Sequence, residues 1–160
     1  MPVKWLTREK CLKLLEKPAY GRLGTCGRGD LPYITPVNYI LFGECIYIHC
    51  AFTGRKLENL RHSSSVCFEV SAAGRLFPGP RARDFTMRFW SVLAFGQARV
   101  LDDLELKLQV MQRFMRKYAP DHSFQSLSQE DMKDVNVLEI SIEEISGKAS
   151  LDPRPDSIKD

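Results

Sequence analysis

Apolar positions along this chain change their spacing several times, and each change marks an element. Cys11, Leu14 and Leu15 share one face behind Thr7, which predicts a short helix capped by Thr7 and ended before Pro18. From Tyr20 onward the extended segments are punctuated by Gly21, Gly24, Gly27 and Gly29, and Gly29-Asp30 predicts a hairpin turn. Pro32 to Phe42 is rich in β-branched and aromatic residues, and Cys45-Ile-Tyr-Ile-His-Cys-Ala repeats that character after Gly43-Glu44, so the two runs predict a second hairpin. In Gly54-Arg-Lys-Leu-Glu-Asn-Leu-Arg, Leu57 and Leu60 stand at a helical interval, and Val66 to Val70 returns to strand character.

The second half reads in the same way. Residues 72–88 hold two glycines, two prolines and four arginines (Arg75, Arg81, Arg83, Arg88), a mixture that predicts a long exposed loop. Phe89 to Val100 predicts an apolar strand, and Asp102-Asp-Leu-Glu105 has the form of a capping box. The helix it opens carries Leu104, Leu108, Met111, Met115 and Tyr118 at helical spacing and stops at Pro120. Val135 to Ile145 predicts the last strand. About six strands, two short helices and one longer helix result, and the first strands follow one another through tight turns. Parallel pairing would need crossovers, so the pattern predicts an antiparallel barrel, mainly β with peripheral helices.

Length and composition narrow this picture. At 160 residues with 44% hydrophobic and 27% charged positions, the chain suits one buried core, read as a single domain over 1–150 with a frayed tail at 151–160. Twenty-three Lys and Arg against 20 Asp and Glu leave +3, too little to make nucleic acid the expected partner. The longest uncharged stretch, Leu31 to Gly43, is far short of the ~20 apolar residues of a membrane-crossing helix. The N-terminus lacks the apolar core of a secretory signal, so cytoplasm is the expected compartment. Five cysteines (Cys11, Cys26, Cys45, Cys50, Cys67) form no C-x-x-C pair and read as small buried apolar side chains, with no metal site expected.

Candidate chemistry is sparse. The glycines at 21, 24, 27 and 29 do not spell G-x-G-x-x-G, and no Walker sequence, H-E-x-x-H or G-x-S-x-G is present. What remains is a strand running into a Gly-initiated helix with Arg55 and Lys56 in its first turn. Unpaired N–H groups and the positive end of the helix dipole would meet an anion there, with two cations beside them. The same pair also reads as solvated surface charge.

Taken in order, Tyr20-Gly-Arg-Leu-Gly-Thr, Pro32-Tyr-Ile-Thr-Pro-Val-Asn-Tyr, Ile46-Tyr-Ile-His-Cys-Ala, Gly54-Arg-Lys-Leu-Glu-Asn-Leu, Val66-Cys-Phe-Glu-Val, Ser91-Val-Leu-Ala-Phe-Gly and Ile142-Glu-Glu-Ile-Ser-Gly-Lys-Ala resemble the pyridoxamine 5′-phosphate oxidase-like flavin-binding split barrels, and within them the nitroimidazole-resistance, NimA-like branch. The resemblance runs from about residue 5 to residue 150. It implies a six-stranded antiparallel split β-barrel and a homodimer with FMN in the groove between subunits. It also implies that Arg55 and Lys56 meet the flavin phosphate, and that Thr35, Pro36, Val37 and Asn38 lie on the strand whose edge lines the flavin ring. His49 and Cys50 match the strand end beside the phosphate turn, with His49 the one candidate for a catalytic role and a structural histidine the alternative. Asn59 either reaches the phosphate or faces solvent, and Ser91 either approaches the flavin or ends the loop before it. His62, His122, Met111 and Met115 read as surface and packing.

The function implied is an FMN-dependent oxidoreductase passing electrons or hydride to a small oxidised organic molecule, nitro compounds among them. Vitamin B6 oxidation is disfavoured, because Leu151 to Asp160 does not match the substrate-binding ending of those oxidases. The rival readings are a deazaflavin-binding relative, a haem-binding or haem-degrading barrel with His49 or His62 on iron, and a binding protein without turnover.

Overall fold

The computed structural model describes residues 3–150, and the predicted tail at 151–160 lies outside the described residues. In chain order the elements are β1 (Val3–Trp5), α1 (Arg8–Leu15), β2 (Gly21–Cys26), β3 (Pro32–Val37), β4 (Ile40–Phe42), β5 (Cys45–Cys50), α2 (Arg55–His62), β6 (Ser65–Phe77), β7 (Thr86–Val100), α3 (Leu104–Tyr118) and β8 (Asn136–Ser150). All strand pairings are antiparallel, and the sheet runs β3-β2-β6-β7-β8-β5-β4 with β1 added to β8. The two end strands, β3 and β4, are consecutive in the chain and joined only by Asn38 and Tyr39. The sheet must therefore curl until its edges meet, which makes it an antiparallel split barrel, mainly β with three peripheral helices. Six strands of six residues or more carry it, as expected; β1 and β4, three residues each, are additional and too short to show a period.

The expected hairpin over 32–51 is corrected in one respect. Pro32 to Phe42 is not one strand but two, because the chain leaves one sheet edge at Val37 and joins the other at Ile40. Asn38 donates its side-chain amide to the Ala19 carbonyl at 3.0 Å, and the hydroxyl of Tyr118 holds the Tyr39 backbone, so the break is set by distant partners.

The expected loop at 72–88 is also corrected. β6 continues to Phe77 and β7 begins at Thr86, paired through Ala72↔Trp90 and Phe77↔Thr86 with a bulge between Ala73 and Leu76. Only 78–85 connects them, starting where Pro78 and Pro80 remove backbone donors from the ladder. Thr7 caps α1 as predicted, its hydroxyl accepting from the Lys10 N–H. In α3 the cap is Asp103, accepting from the Leu106 N–H at 3.0 Å, so the Asp102–Glu105 box is displaced by one residue. Its buried face is Lys107, Val110 and Phe114, and the predicted stripe of Leu104, Leu108, Met111, Met115 and Tyr118 flanks that face half-buried.

The main core fills the curl. Leu23, Ile46, Ile48, Phe68, Val70 and Val92 point inward from four strands, and α1 adds Cys11, Leu14 and Leu15. Tyr39 stands among them, edge-on to Phe68 at 4.7 Å. α3 covers a second cluster on the outer face of β5 and β8, including Tyr47, Val137, Val110 and Phe114. Of the cysteines only Cys11 is fully buried; Cys50 and Cys45 are partly buried against the main and second clusters, and Cys26 and Cys67 are partly exposed where they line the outer face of the sheet.

Candidate functional site

α2 begins where β5 ends, and its start is open. Gly54 takes φ +127°, a conformation side chains resist, and the Leu57 and Glu58 N–H groups donate to its carbonyl at 2.9 and 3.1 Å. No side chain caps the helix, so the first N–H groups face outward beside Arg55 and Lys56. The Arg55 guanidinium lies over the Tyr33 ring of β3, 4.6 Å from its centroid. That contact brings the helix start against an edge strand, since β3 pairs with β2 and, among the described residues, has no partner on its other side.

Along β3 the predicted residues divide between two faces. Thr35 and Val37 turn inward, Val37 packing on the core, while the Thr35 hydroxyl is buried with no hydrogen-bond partner among the described residues. Pro36 is exposed on the outer face, and the Asn38 amide is committed to Ala19. Lys56 lies close enough to Cys50 to favour its thiolate, but burial dominates and holds that thiol above its ordinary value. Cys50 also faces the Asn136 amide, which donates to the Ala51 carbonyl at 2.9 Å and fixes the turn into α2.

Three other predicted residues sit elsewhere or act otherwise. His49 points from β5 toward α3, edge-on to Phe114 at 6.4 Å, and its partial burial lowers the imidazole pKa. Asn59 is buried and does not face solvent: its amide donates to the Thr25 hydroxyl at 2.9 Å and so ties α2 to β2. Gly27 makes room for it, as a Cβ there would come within 2.6 Å of the Asn59 carbonyl oxygen. Ser91 lies opposite Ser71 and Lys148 on the outer face of β7, two residues from Leu93. His62 is exposed at the last turn of α2. Among the described residues no cluster of His, Cys, Asp and Glu could hold a metal ion, and no helix is long and apolar enough to cross a membrane.

Two concavities adjoin this region. An apolar groove of about 780 Å³ runs over the outer face of β3, β2, β6 and β7, lined by Ile34, Cys26, Cys67, Leu93 and Phe95 among others. Ile34 is 67% and Phe95 42% exposed, a contiguous apolar surface beside the β3 edge. The second, about 610 Å³, is polar and lies along α2. Tyr33, Thr25 and Arg28 are the residues sequence reasoning missed; Tyr33 sits in the Pro32-Tyr-Ile-Thr block, where an aromatic two residues from Thr35 is the available signal.

The fold has counterparts. Residues 7–149 match the family model described as pyridoxamine 5′-phosphate oxidase. No curated protein matches by sequence. Among solved structures the chain is similar to a candidate 5-nitroimidazole antibiotic resistance protein from Bacteroides thetaiotaomicron, at 22% identity and TM-score 0.77, covering 93% of this chain and 89% of that one. It is also similar to the flavocytochrome Anf3 from Azotobacter vinelandii, at 23% identity and TM-score 0.79, covering 99% and 72%. A FAD-binding protein from Mesorhizobium loti aligns at 24% identity and TM-score 0.69, covering 94% and 99%. At these identities the likeness is one of fold.

Proposed function

The chain belongs to the pyridoxamine 5′-phosphate oxidase family, and from that premise we propose that it is a flavin-binding oxidoreductase acting as a homodimer. The flavin phosphate meets the open start of α2, with Arg55 and Lys56 as its counter-charges. The ring lies along the unpaired edge of β3, where peptide N–H and C=O groups can match its alternating acceptors and donors. One observation carries the reading: the Arg55–Tyr33 contact joins a cationic, uncapped helix start to a free strand edge. The unpartnered Thr35 hydroxyl on that strand is a further polar group for a ligand to satisfy.

A bound flavin supplies the two-electron chemistry. The chain's own part is to hold the phosphate, orient the ring and keep water away. For the last of these the apolar groove at Ile34 and Phe95 is covered by a second copy, since a surface of that kind is otherwise left wet. Its apolar wall favours a small, uncharged, flat acceptor, and nitro compounds are the first class to assay. FMN is the expected form.

Purified protein, titrated with FMN and followed by absorption and flavin fluorescence, tests the reading. A flavin spectrum with saturable binding in a dimer supports it. A Soret band, or indifference to FMN and FAD alike, rejects it.

A further inference from the structure

Three buried side-chain polar atoms have no hydrogen-bond partner among the described residues. The Thr35 hydroxyl belongs to the β3 edge, and the other two, Arg88 Nε and Trp90 Nε1, stand together on β7. They are two residues apart, so both side chains leave the strand on one face. Trp90 is only 6% exposed and Arg88 is half-buried. Both atoms are N–H donors without acceptor capacity, and each carries its loss of hydration uncompensated. The backbone between them is not short of a partner, since the Ser150 hydroxyl accepts from the Phe89 N–H at 2.8 Å.

The strand opposite leaves room beside these donors. Trp90 faces Ala72 across the β6–β7 ladder, and a Cβ at Gly74 would come within 3.1 Å of the Arg88 Cβ, so β6 presents a methyl group and bare backbone there. Farther along the hairpin the guanidiniums of Arg75 and Arg88 both lie over the Phe77 ring, 5.6 and 5.2 Å from its centroid. Neither pairs with a carboxylate among the described residues, whereas Arg81 and Arg83 of the same hairpin share Asp84. A guanidinium stacked on a ring is held in place with its N–H groups still to be answered.

Two buried donors and two unpaired guanidiniums around a gap call for a group that is negatively charged and only accepts, and a carboxylate matches the planar fork of arginine. We propose that the root of the β6–β7 hairpin is a binding site for a small organic carboxylate, which lies over Ala72 and Gly74 and accepts from Arg88 and Trp90. Arg75 adds charge, and the rings of Phe77 and Trp90 favour an aromatic acid. The site is separate from the start of α2: Trp90 pairs with Ala149 near the end of β8, whereas Asn136, which fixes the turn into α2, is at the beginning of that strand. It does not rest on the flavin reading.

Full-length protein labelled with nitrogen-15 is titrated with benzoate, benzamide and inorganic phosphate while the Trp90 indole N–H signal is followed by NMR. Trp5→Phe, at a position 71% exposed, assigns that signal. Benzoate is expected to move it downfield and to saturate, and benzamide, of the same shape without the charge, to bind about tenfold more weakly or worse. Arg88→Gln is expected to weaken benzoate by a similar factor and to leave FMN affinity within twofold. Equal responses to benzoate and benzamide, or a benzoate affinity that survives Arg88→Gln, overturn the proposal; the benzamide comparison uses the native chain and decides the matter should Arg88→Gln fail to fold. Phosphate binding more tightly than benzoate overturns the choice of a carboxylate. An indole signal already downfield in the ligand-free chain and unmoved by benzoate overturns the site, because the donor then has a partner within the protein. Displacement of benzoate by FMN overturns the separateness of the site, whereas failure of FMN to bind with the benzoate response intact overturns the flavin reading alone.

Discussion

The hydroxyl of Tyr118 accepts from the Tyr39 N–H at 2.9 Å and donates to the Tyr39 carbonyl at 2.7 Å. One side chain at the end of α3 thus satisfies both backbone groups of the residue at which the chain passes from one sheet edge to the other. Tyr39 is fully buried, and its own hydroxyl donates to the Leu15 carbonyl, so α1, α3 and both edge strands meet at this residue. Tyr118→Phe strips the Tyr39 N–H of its partner, a loss worth ~1 to 3 kcal/mol. Urea denaturation is expected to show that destabilisation with an unchanged slope; stability equal to the native protein would remove Tyr118 from this role.

Lys117 shares the same knot. Its ammonium donates to the Tyr39 carbonyl at 3.1 Å and lies 4.2 Å from the Tyr39 ring centroid, and burial pulls its pKa down from 10.5 to about 8, with Glu16 opposing weakly. Between those two values the unfolded chain holds a proton that the folded chain has released, so stability rises with pH across that window. Burial raises the Tyr39 and Tyr118 phenols, whose contribution runs the other way once free tyrosine ionises near pH 10. Melting temperature in a Lys117→Met variant is expected to lack the rise from pH 8 to about 10 relative to the native protein. Parallel curves would contradict this.

Arg55→Ala and Lys56→Ala each remove a charged donor from the start of α2. Flavin affinity is expected to fall by ~1 to 3 kcal/mol in each, the scale of a charge-assisted hydrogen bond. Isothermal titration with FMN measures this, and undiminished affinity in both variants would count against the phosphate assignment.

Asn59→Ala breaks the link between α2 and β2 and opens a small space beside Gly27. A cost of ~1 to 3 kcal/mol in folding stability is expected from the lost hydrogen bond to the Thr25 hydroxyl and the lost packing. Chemical denaturation of the flavin-free protein separates this structural role from a direct one: Asn59→Ala lowers its stability, whereas Arg55→Ala does not.

Phe95→Glu places a charge in the apolar groove proposed to be covered by a second copy. Sedimentation velocity is expected to report a monomer for this variant and a dimer for the native chain; the same species for both would exclude this face.

Much of the fold was legible because its cues are local. The β2–β3 hairpin turns on Gly29, α1 on Thr7 and α2 on Gly54, each within a few residues of the element it starts. The break at Asn38-Tyr39 was not, because Val37, Tyr39 and Ile40 all favour strand and the interruption is imposed by Ala19 and Tyr118. The arms of the β6–β7 hairpin were hidden too: Gly74 and Arg75 mark a bulge between paired stretches, which composition renders as a loop. In α3 an apolar pattern could not anticipate that Lys107 is buried, its ammonium 3.5 Å from the Met132 carbonyl. At the site, Arg55 and Lys56 stood out by spacing, whereas Arg28 joins them only through tertiary contact.

Among the described residues β8 is the last strand in sequence, yet it lies inside the sheet, flanked by β7 and β5 and receiving β1 at its far end. A ribosome-bound chain that has emitted everything up to α3 therefore holds the β4–β5 hairpin and β1 with nothing to dock on. Cooperative folding must wait until β8 clears the exit tunnel, and the exposed edges of β7 and β5 are, until then, the surfaces a chaperone would have to shield.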